Sequence, residues 1–313
     1  MIETNKVYEM DAFELLKQLP DESVDMILCD LPYGTTACKW DEIIPLKELW
    51  KEYNRIIKKD KAIVLTASQP FTSKLIISNI ENFRYEIIWD KKIPSNFQLM
   101  NFQFGKIHEN ILVFSKSPAV FCNGKNMIYY PQKTKREKER INKKVNFKED
   151  CVTLRKGHSL KNMGEKIYSK RLPTSIIQYS NANRKNKFHP TQKPIDLFKY
   201  LIKTFTKEGD LVIDNCVGGG TTAVACKQLG RNFICCDNNA EYVAIANKRL
   251  VQQSVADFTS ATPTLAEPKE FNNDLEATPT ASPKLKSEIL TSLNPNILSA
   301  IPNSPLNAWS NST

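Results

Sequence analysis

Residues 210–237 read DLVIDNCVGGGTTAVACKQLGRNFICCD and begin with a short apolar run, LVID, of the length and composition of a buried strand. Three glycines follow at 218, 219 and 220, then a helix-forming segment, TTAVACKQLG (221–230), and a second apolar run, NFICCD (232–237). Glycines between a strand and a helix let the backbone turn tightly and approach a ligand closely. The helix after them presents unpaired N–H groups to the same place. Asp237 closes the next strand, seventeen residues after Gly220. A carboxylate there can accept hydrogen bonds from both hydroxyls of a ribose. The module suits a nucleoside-containing cofactor. It is not a phosphate loop of the type G-x-x-x-x-G-K-[ST], because no lysine follows Gly220.

Working outward, the first 250 residues alternate strand and helix signals. Val- and Ile-rich runs at 24–30, 62–67, 85–90, 110–115, 210–215 and 232–237 read as buried strands. Helix-like segments lie at 12–19, 45–58, 71–80, 194–205, 221–230 and 240–250, with Pro194 suited to a first turn and Gly230 to a C-terminal cap. This alternation predicts an α/β domain, a mostly parallel sheet with helices on both faces. Residues 116–188 break the rhythm. They contain PQKTKREKERINKKV (131–145), seven Lys/Arg against two Glu, which reads as an inserted region with a basic face; a solvated charged helix is the plainer alternative. Beyond residue 250 come seven prolines, sixteen Ser/Thr and no glycine, the composition of a disordered tail over 251–313. That tail has net charge −3 within a total of +10, so the first 250 residues carry +13 and point to a polyanionic partner. The eight cysteines include no C-x-x-C pair, so no metal site is expected, and they read as buried thiols of a reducing compartment. The N-terminal segment has no apolar signal core and no stretch is long enough to span a membrane, so the expectation is a cytoplasmic protein.

A second constellation, DLPYG (30–34), ends the strand-like run VDMILCD. Asp30 can accept a hydrogen bond from an amino group, and the Leu31 carbonyl, stiffened by Pro32, can accept another. Two acceptors gripping an aryl amine favour a more tetrahedral nitrogen and aim its lone pair. Tyr33 offers a face for a base to stack on. The same four residues also make an ordinary turn after a strand.

Together these segments resemble the DNA amino-methyltransferases. The catalytic motif of that family is [DNS]-P-P-[YFW], and its cofactor motif ends in G-x-G-T-T. The matches here are Asp30-Leu31-Pro32-Tyr33 and Gly218-Gly219-Gly220-Thr221-Thr222, with Leu31 in place of the first proline. FHPTQKP (188–194) resembles the segment that closes the methionine end of the cofactor pocket. The segments 8–30 and HENILVFSK (108–116) agree with the family as well. With the catalytic motif first and the cofactor motif about 180 residues later, the order resembles the beta class. RNA and protein-glutamine methyltransferases normally have the reverse order.

The resemblance implies a Rossmann-like, S-adenosylmethionine-dependent methyltransferase fold with circularly permuted motif order, extending over residues 1–250 with 116–188 as target-recognition region. It implies that Asp30, Leu31, Pro32 and Tyr33 act on the base. S-adenosylmethionine would be held by Asp11, Thr191, Lys193, Asp214, Cys216, Gly218, Gly220, Thr221, Thr222 and Asp237. The partner implied is double-stranded DNA, met by Lys91, Lys92, Lys135, Arg136, Lys138, Arg140, Arg184 and Lys185. The target implied is N6 of adenine in a flipped-out base. N4 of cytosine is the alternative, and a catalytically silent DNA-binding relative a further one. A restriction endonuclease partner and the oligomeric state stay open.

Overall fold

The computed structural model describes residues 2–35, 41–120, 126–142, 166–181 and 192–259. In chain order the strands are β1 (Lys6–Glu9), β2 (Val24–Cys29), β3 (Ile57–Ala67), β4 (Phe83–Asp90), β5 (His108–Phe114), β6 (Thr134–Asn142), β7 (Lys166–Arg171), β8 (Ile176–Gln178), β9 (Leu211–Asp214) and β10 (Asn232–Asp237). The helices are α1 (Ala12–Gln18), α2 (Leu46–Ile56), α3 (Phe71–Ser78), α4 (Ile195–Phe205), α5 (Thr221–Gln228) and α6 (Ala240–Thr259).

Eight strands form one sheet in the order β1-β10-β9-β2-β3-β5-β4-β8. All its pairs are parallel except the two made by β5. That exception has a local cause: β4 and β5 are joined by a loop with no crossover helix, and such neighbours pair antiparallel. The inner strands are apolar on both faces, as a sheet covered on both sides requires. In β2, Met26 and Leu28 pack with α4, α5 and α6, whereas Ile27 and Cys29 pack with α1, α2 and α3. The two cores thus lie on opposite faces of one sheet, and the expected α/β architecture is present.

Chain order and sheet order together locate the functional edge. From β2 the chain moves to β3 on one side, and from β9 it moves to β10 on the other. The neighbours β2 and β9 therefore flank a topological switch point, where open α/β sheets leave a crevice at the C-terminal strand ends. Asp30 follows β2, Asp214 ends β9 and Asp237 ends β10.

Several expectations need correction. The helix read over 45–58 ends at Ile56, because Ile57 pairs with Val24 and begins β3. Pro194 is the N-cap of α4, in extended backbone, and its carbonyl accepts from Phe198 N–H at 3.3 Å. The helix expected to stop at residue 250 continues to Thr259, past the tail boundary read from composition. From Thr134 to Asn142 the basic segment is neither the solvated helix nor irregular chain. It forms β6, antiparallel to β7 in a two-stranded ribbon with a register shift between Lys135 and Arg140. β8, from the same interval, adds to the main sheet beside β4. The four-residue edge strand β1, beside β10, has no counterpart among the strands expected from the sequence.

Candidate active site

A cavity of about 880 Å³ opens at the switch point, lined by both constellations. On the β9–β10 side the backbone of Cys216–Gly219 forms its wall, with Asp237 and Thr222 beside it. Asp237 accepts from Gly218 N–H at 2.9 Å and from Asn239 N–H at 3.0 Å, so its carboxylate is fixed at the strand end. Met10 N–H donates to the Asp237 carbonyl at 3.0 Å, which brings β1 and Asp11 to the same cavity. Asp11 also N-caps α1, accepting from Phe13 N–H at 2.8 Å.

Asp214 is buried, lines the cavity and braces the turn. It accepts from Cys216 N–H at 3.1 Å and from the Thr222 hydroxyl. Burial pushes its carboxyl up to about 7, against these hydrogen bonds. Gly220 does not line the cavity. It takes φ +79°, and a Cβ there would lie 2.6 Å from the Ala246 side chain of α6. Its glycine serves close packing of loop against helix, between the cavity-lining Gly219 and Thr221. The Gly219 carbonyl accepts from the buried Arg249 guanidinium, a second tie between the turn and α6.

On the β2 side the Asp30 carboxylate is held from three directions. Oδ1 accepts from the Tyr33 hydroxyl at 2.8 Å and from the Thr66 hydroxyl, and Oδ2 lies 2.9 Å from Lys193 Nζ. Burial and the charge of Asp30 hold the Tyr33 phenol well above its ordinary range, so it remains a donor. Lys193 also lies 3.3 Å from Glu109, whose other oxygen is 3.1 Å from Lys91. Burial opposes the charge of Lys193, but Asp30, Tyr33 and Glu109 outweigh it and keep its pKa well above that of a free lysine. Glu109 is likewise buried, yet Lys193 and Lys91 hold its carboxyl below the ordinary range. The result is an alternating Asp30–Lys193–Glu109–Lys91 chain of charges.

This arrangement revises several sequence assignments. Lys91 is 3% exposed and belongs to the charge chain, not to a phosphate-contacting surface. Lys193, expected at the methionine end of the cofactor, lines the cavity and also pairs with Asp30. Leu31 is 2% exposed and packs in the α1–α3 core. Burial thus pins the position where the motif lacks its proline. The Tyr33 ring has Phe71 stacked on it at 5.4 Å and the Lys193 ammonium 5.4 Å from its centroid. The face expected to be open for a base is shared with that ammonium. Lys92, Lys135, Lys138 and Arg140 are exposed, as surface contacts require, and Arg136 is half-buried. Thr191, Arg184 and Lys185 lie outside the described residues. Thr66 and Asp41 join the site without any signal in the sequence pattern, and Glu109 joins it from the segment 108–116, whose resemblance did not mark it out. Asp41 accepts from Gly34 and Thr35 N–H, both at 2.9 Å, and so anchors the backbone after the catalytic motif. Among the described residues no cluster of ligating side chains could hold a metal.

The cavity suits S-adenosylmethionine. Its size accommodates a nucleoside joined to an amino acid. Fixed carboxylates at Asp11 and Asp237 can accept hydrogen bonds from adenine and ribose, and acidic lining favours a sulfonium charge. Residues 24–248 match the model of the N6/N4 DNA methylase family, so the chain belongs to that family. It is 30% identical over 276 residues to the Type II methyltransferase M1.MboII of Moraxella bovis, covering 82% of this chain and all of that protein. It is 27% identical over 265 residues to the DNA adenine methyltransferase YhdJ of Escherichia coli K12, covering 79% and 83% of the two. The fold matches the crystal structure of the M1.HpyAVI–SAM complex with TM-score 0.51 and 26% identity, over 78% of this chain and 98% of that one. The protein is a DNA methyltransferase and its cofactor is S-adenosylmethionine.

Proposed function

We propose that the chain methylates N6 of adenine in double-stranded DNA, acting on a base turned out of the helix. The observation that carries this reading is Asp30, held at the cofactor cavity with three of its roughly four acceptor positions already filled. The position left can take one N–H of an exocyclic amine, and the Leu31 carbonyl takes the other. The cofactor supplies an electrophilic methyl group. The chain's own work is to orient the amine, exclude water and receive the proton the nitrogen sheds, with Asp30 as acceptor. Glu109 and Lys91 keep Lys193 placed while that charge changes.

Two features favour adenine over cytosine. An acidic lead residue in the catalytic motif resembles adenine enzymes, and a relative alignable over most of the chain is named as an adenine enzyme. The relationship to Type II methyltransferases supports a restriction–modification setting, with a cognate endonuclease as the candidate partner protein. DNA would be met by the ribbon of β6 and β7, since a two-stranded β-ribbon enters a major groove. Lys135, Arg136, Lys138 and Arg140 would contact phosphates there, with Lys92 near the cavity. The test is mass spectrometry of nucleosides from DNA treated with the protein and S-adenosylmethionine. N6-methyladenine is the expected product; N4-methylcytosine would establish the alternative, and unmodified DNA would indicate a silent relative.

A further inference from the structure

The loop between β4 and β5, residues 91–107, plays no part in the chemistry above beyond the residues at its two ends. β4 runs parallel to β3, because each is antiparallel to β5, and so ends on the same edge of the sheet as β2. The loop therefore springs from the edge that carries Asp30. Lys91, Ser95 and Lys106, near its ends, line the cavity.

Its middle is unusually apolar for a surface segment. Phe97, Leu99 and Met100 are about half-exposed or more, Phe102 is 87% exposed and Phe104 is 99% exposed. Scattered single apolar residues on a surface need no explanation, but a contiguous group on one loop marks an interaction site. The loop is also organised. Ser95 N–H donates to the Lys106 carbonyl at 3.1 Å, Lys106 N–H to Asn96 Oδ1 at 2.5 Å, and Asn96 Nδ2 to the Phe104 carbonyl at 3.2 Å. Phe102 N–H and Gln103 N–H both reach the Leu99 carbonyl. These bonds close the neck and fold the tip, so the two phenylalanines are presented on a braced turn.

Charge identifies the occupant. From Lys91 to His108 there are three lysines and no acidic residue. Lys91 is paired with Glu109, but Lys92 is exposed and Lys106 half-buried at the neck. An aromatic tip on a neck without acidic residues suits a polyanion whose interior is apolar, which describes duplex DNA opened at a base step. A second copy of this chain, with net charge +10, offers a surface of the wrong sign. We infer that Phe102 and Phe104 form a wedge that enters the base stack beside the target nucleotide. They occupy the space the base leaves when it turns toward Asp30. Apolar side chains inserted at a base step offset part of the cost of unstacking. Phe104 is two residues from the cavity-lining Lys106, within about 8 Å along the chain. The wedge and the receiving carboxylate are further joined through Lys91, Glu109 and Lys193. The inference rests on the proposed base-flipping reading.

The experiment uses the full chain and a duplex carrying a fluorescent base analogue at the methylated position, which brightens on unstacking. The double variant Phe102→Ala/Phe104→Ala is expected to fold normally, because both side chains are exposed. It should cut the fluorescence rise at least fivefold and methyl transfer to duplex DNA at least tenfold. S-adenosylmethionine affinity should stay within twofold, and Phe104→Leu should recover most of the loss. Wild-type flipping and transfer in the double variant would overturn the wedge. So would a change of oligomeric state in sedimentation with flipping intact, which would make the loop an interface between copies. Failure of the wild-type protein to methylate any DNA would instead defeat the functional reading itself, and the inference with it.

Discussion

Lys193 Nζ lies 2.9 Å from Oδ2 of Asp30, joining the segment before α4 to the C-terminal end of β2 across 163 residues of chain. The pair makes the Asp30 carboxylate part of a buried network rather than a free acceptor. It also shows how the motif is held in place without its first proline. Leu31 is fixed by burial, and Asp30 by Tyr33, Thr66 and Lys193.

Replacing Lys193 by Met should therefore cripple transfer. Asp30 and Glu109 would lose their shared cation, and breaking a buried pair costs about 3–5 kcal/mol. Steady-state kinetics should show kcat falling by two orders of magnitude or more, with Lys193→Arg recovering part of it. Unchanged kcat in Lys193→Met would mean that Lys193 does not position Asp30.

Gly220→Ala should destabilise the fold. The substitution adds a Cβ at φ +79° and 2.6 Å from Ala246 Cβ, so strain and overpacking combine to about 1–3 kcal/mol. Adding Ala246→Gly should recover only part of the melting temperature, because the left-handed backbone and the residue 246 Cα, 2.8 Å from the new Cβ, both remain. Full recovery would show that sterics alone fix the glycine.

Much of this was legible in the sequence, for identifiable reasons. The six inner strands were readable because a sheet covered on both faces needs continuous apolar runs. The turn 214–222 was readable because strand, glycines and helix follow one another directly. β1 was not, because KVYE is a short edge strand whose pairing with β10 is a long-range contact. β6 was not, because its charge reflects a solvent-exposed ribbon, for which core periodicity is no guide. Lys193 and Asp30 both stand out in the sequence but their pairing does not; Glu109 lies in a segment that resembles the family without any mark of its role, and Thr66 carries no local mark at all. Which side chains meet at the strand ends depends on sheet order, and no local pattern encodes that.

The raised pKa of Asp214 predicts a pH dependence of stability. A carboxyl at about 7 in the fold and about 4 when unfolded binds more protons in the native state across that interval. Its contribution is thus fully present below pH 4 and lost as pH rises through 7. Asp214→Asn should flatten this component, so the stability difference between variant and wild type should change across pH 4–7. Parallel pH–stability curves from chemical denaturation would show that Asp214 ionises normally.

The ribbon is tested by neutralising Lys135, Arg136, Lys138 and Arg140 together. DNA affinity should fall, and its log–log salt slope should flatten by about 0.9 for each phosphate that the variant no longer neutralises. Cofactor affinity should not move. Identical salt titrations for variant and wild type would make β6 a merely solvated strand.

In the proposed mechanism, finally, Asp30 acts on the target amine and not on the cofactor. Asp30→Ala should abolish methyl transfer to DNA while calorimetry shows S-adenosylmethionine bound within a few-fold of wild-type affinity, because Asp237 and the 216–219 backbone are untouched. An Asp30→Ala protein that still methylates DNA at a rate near wild type would contradict this assignment.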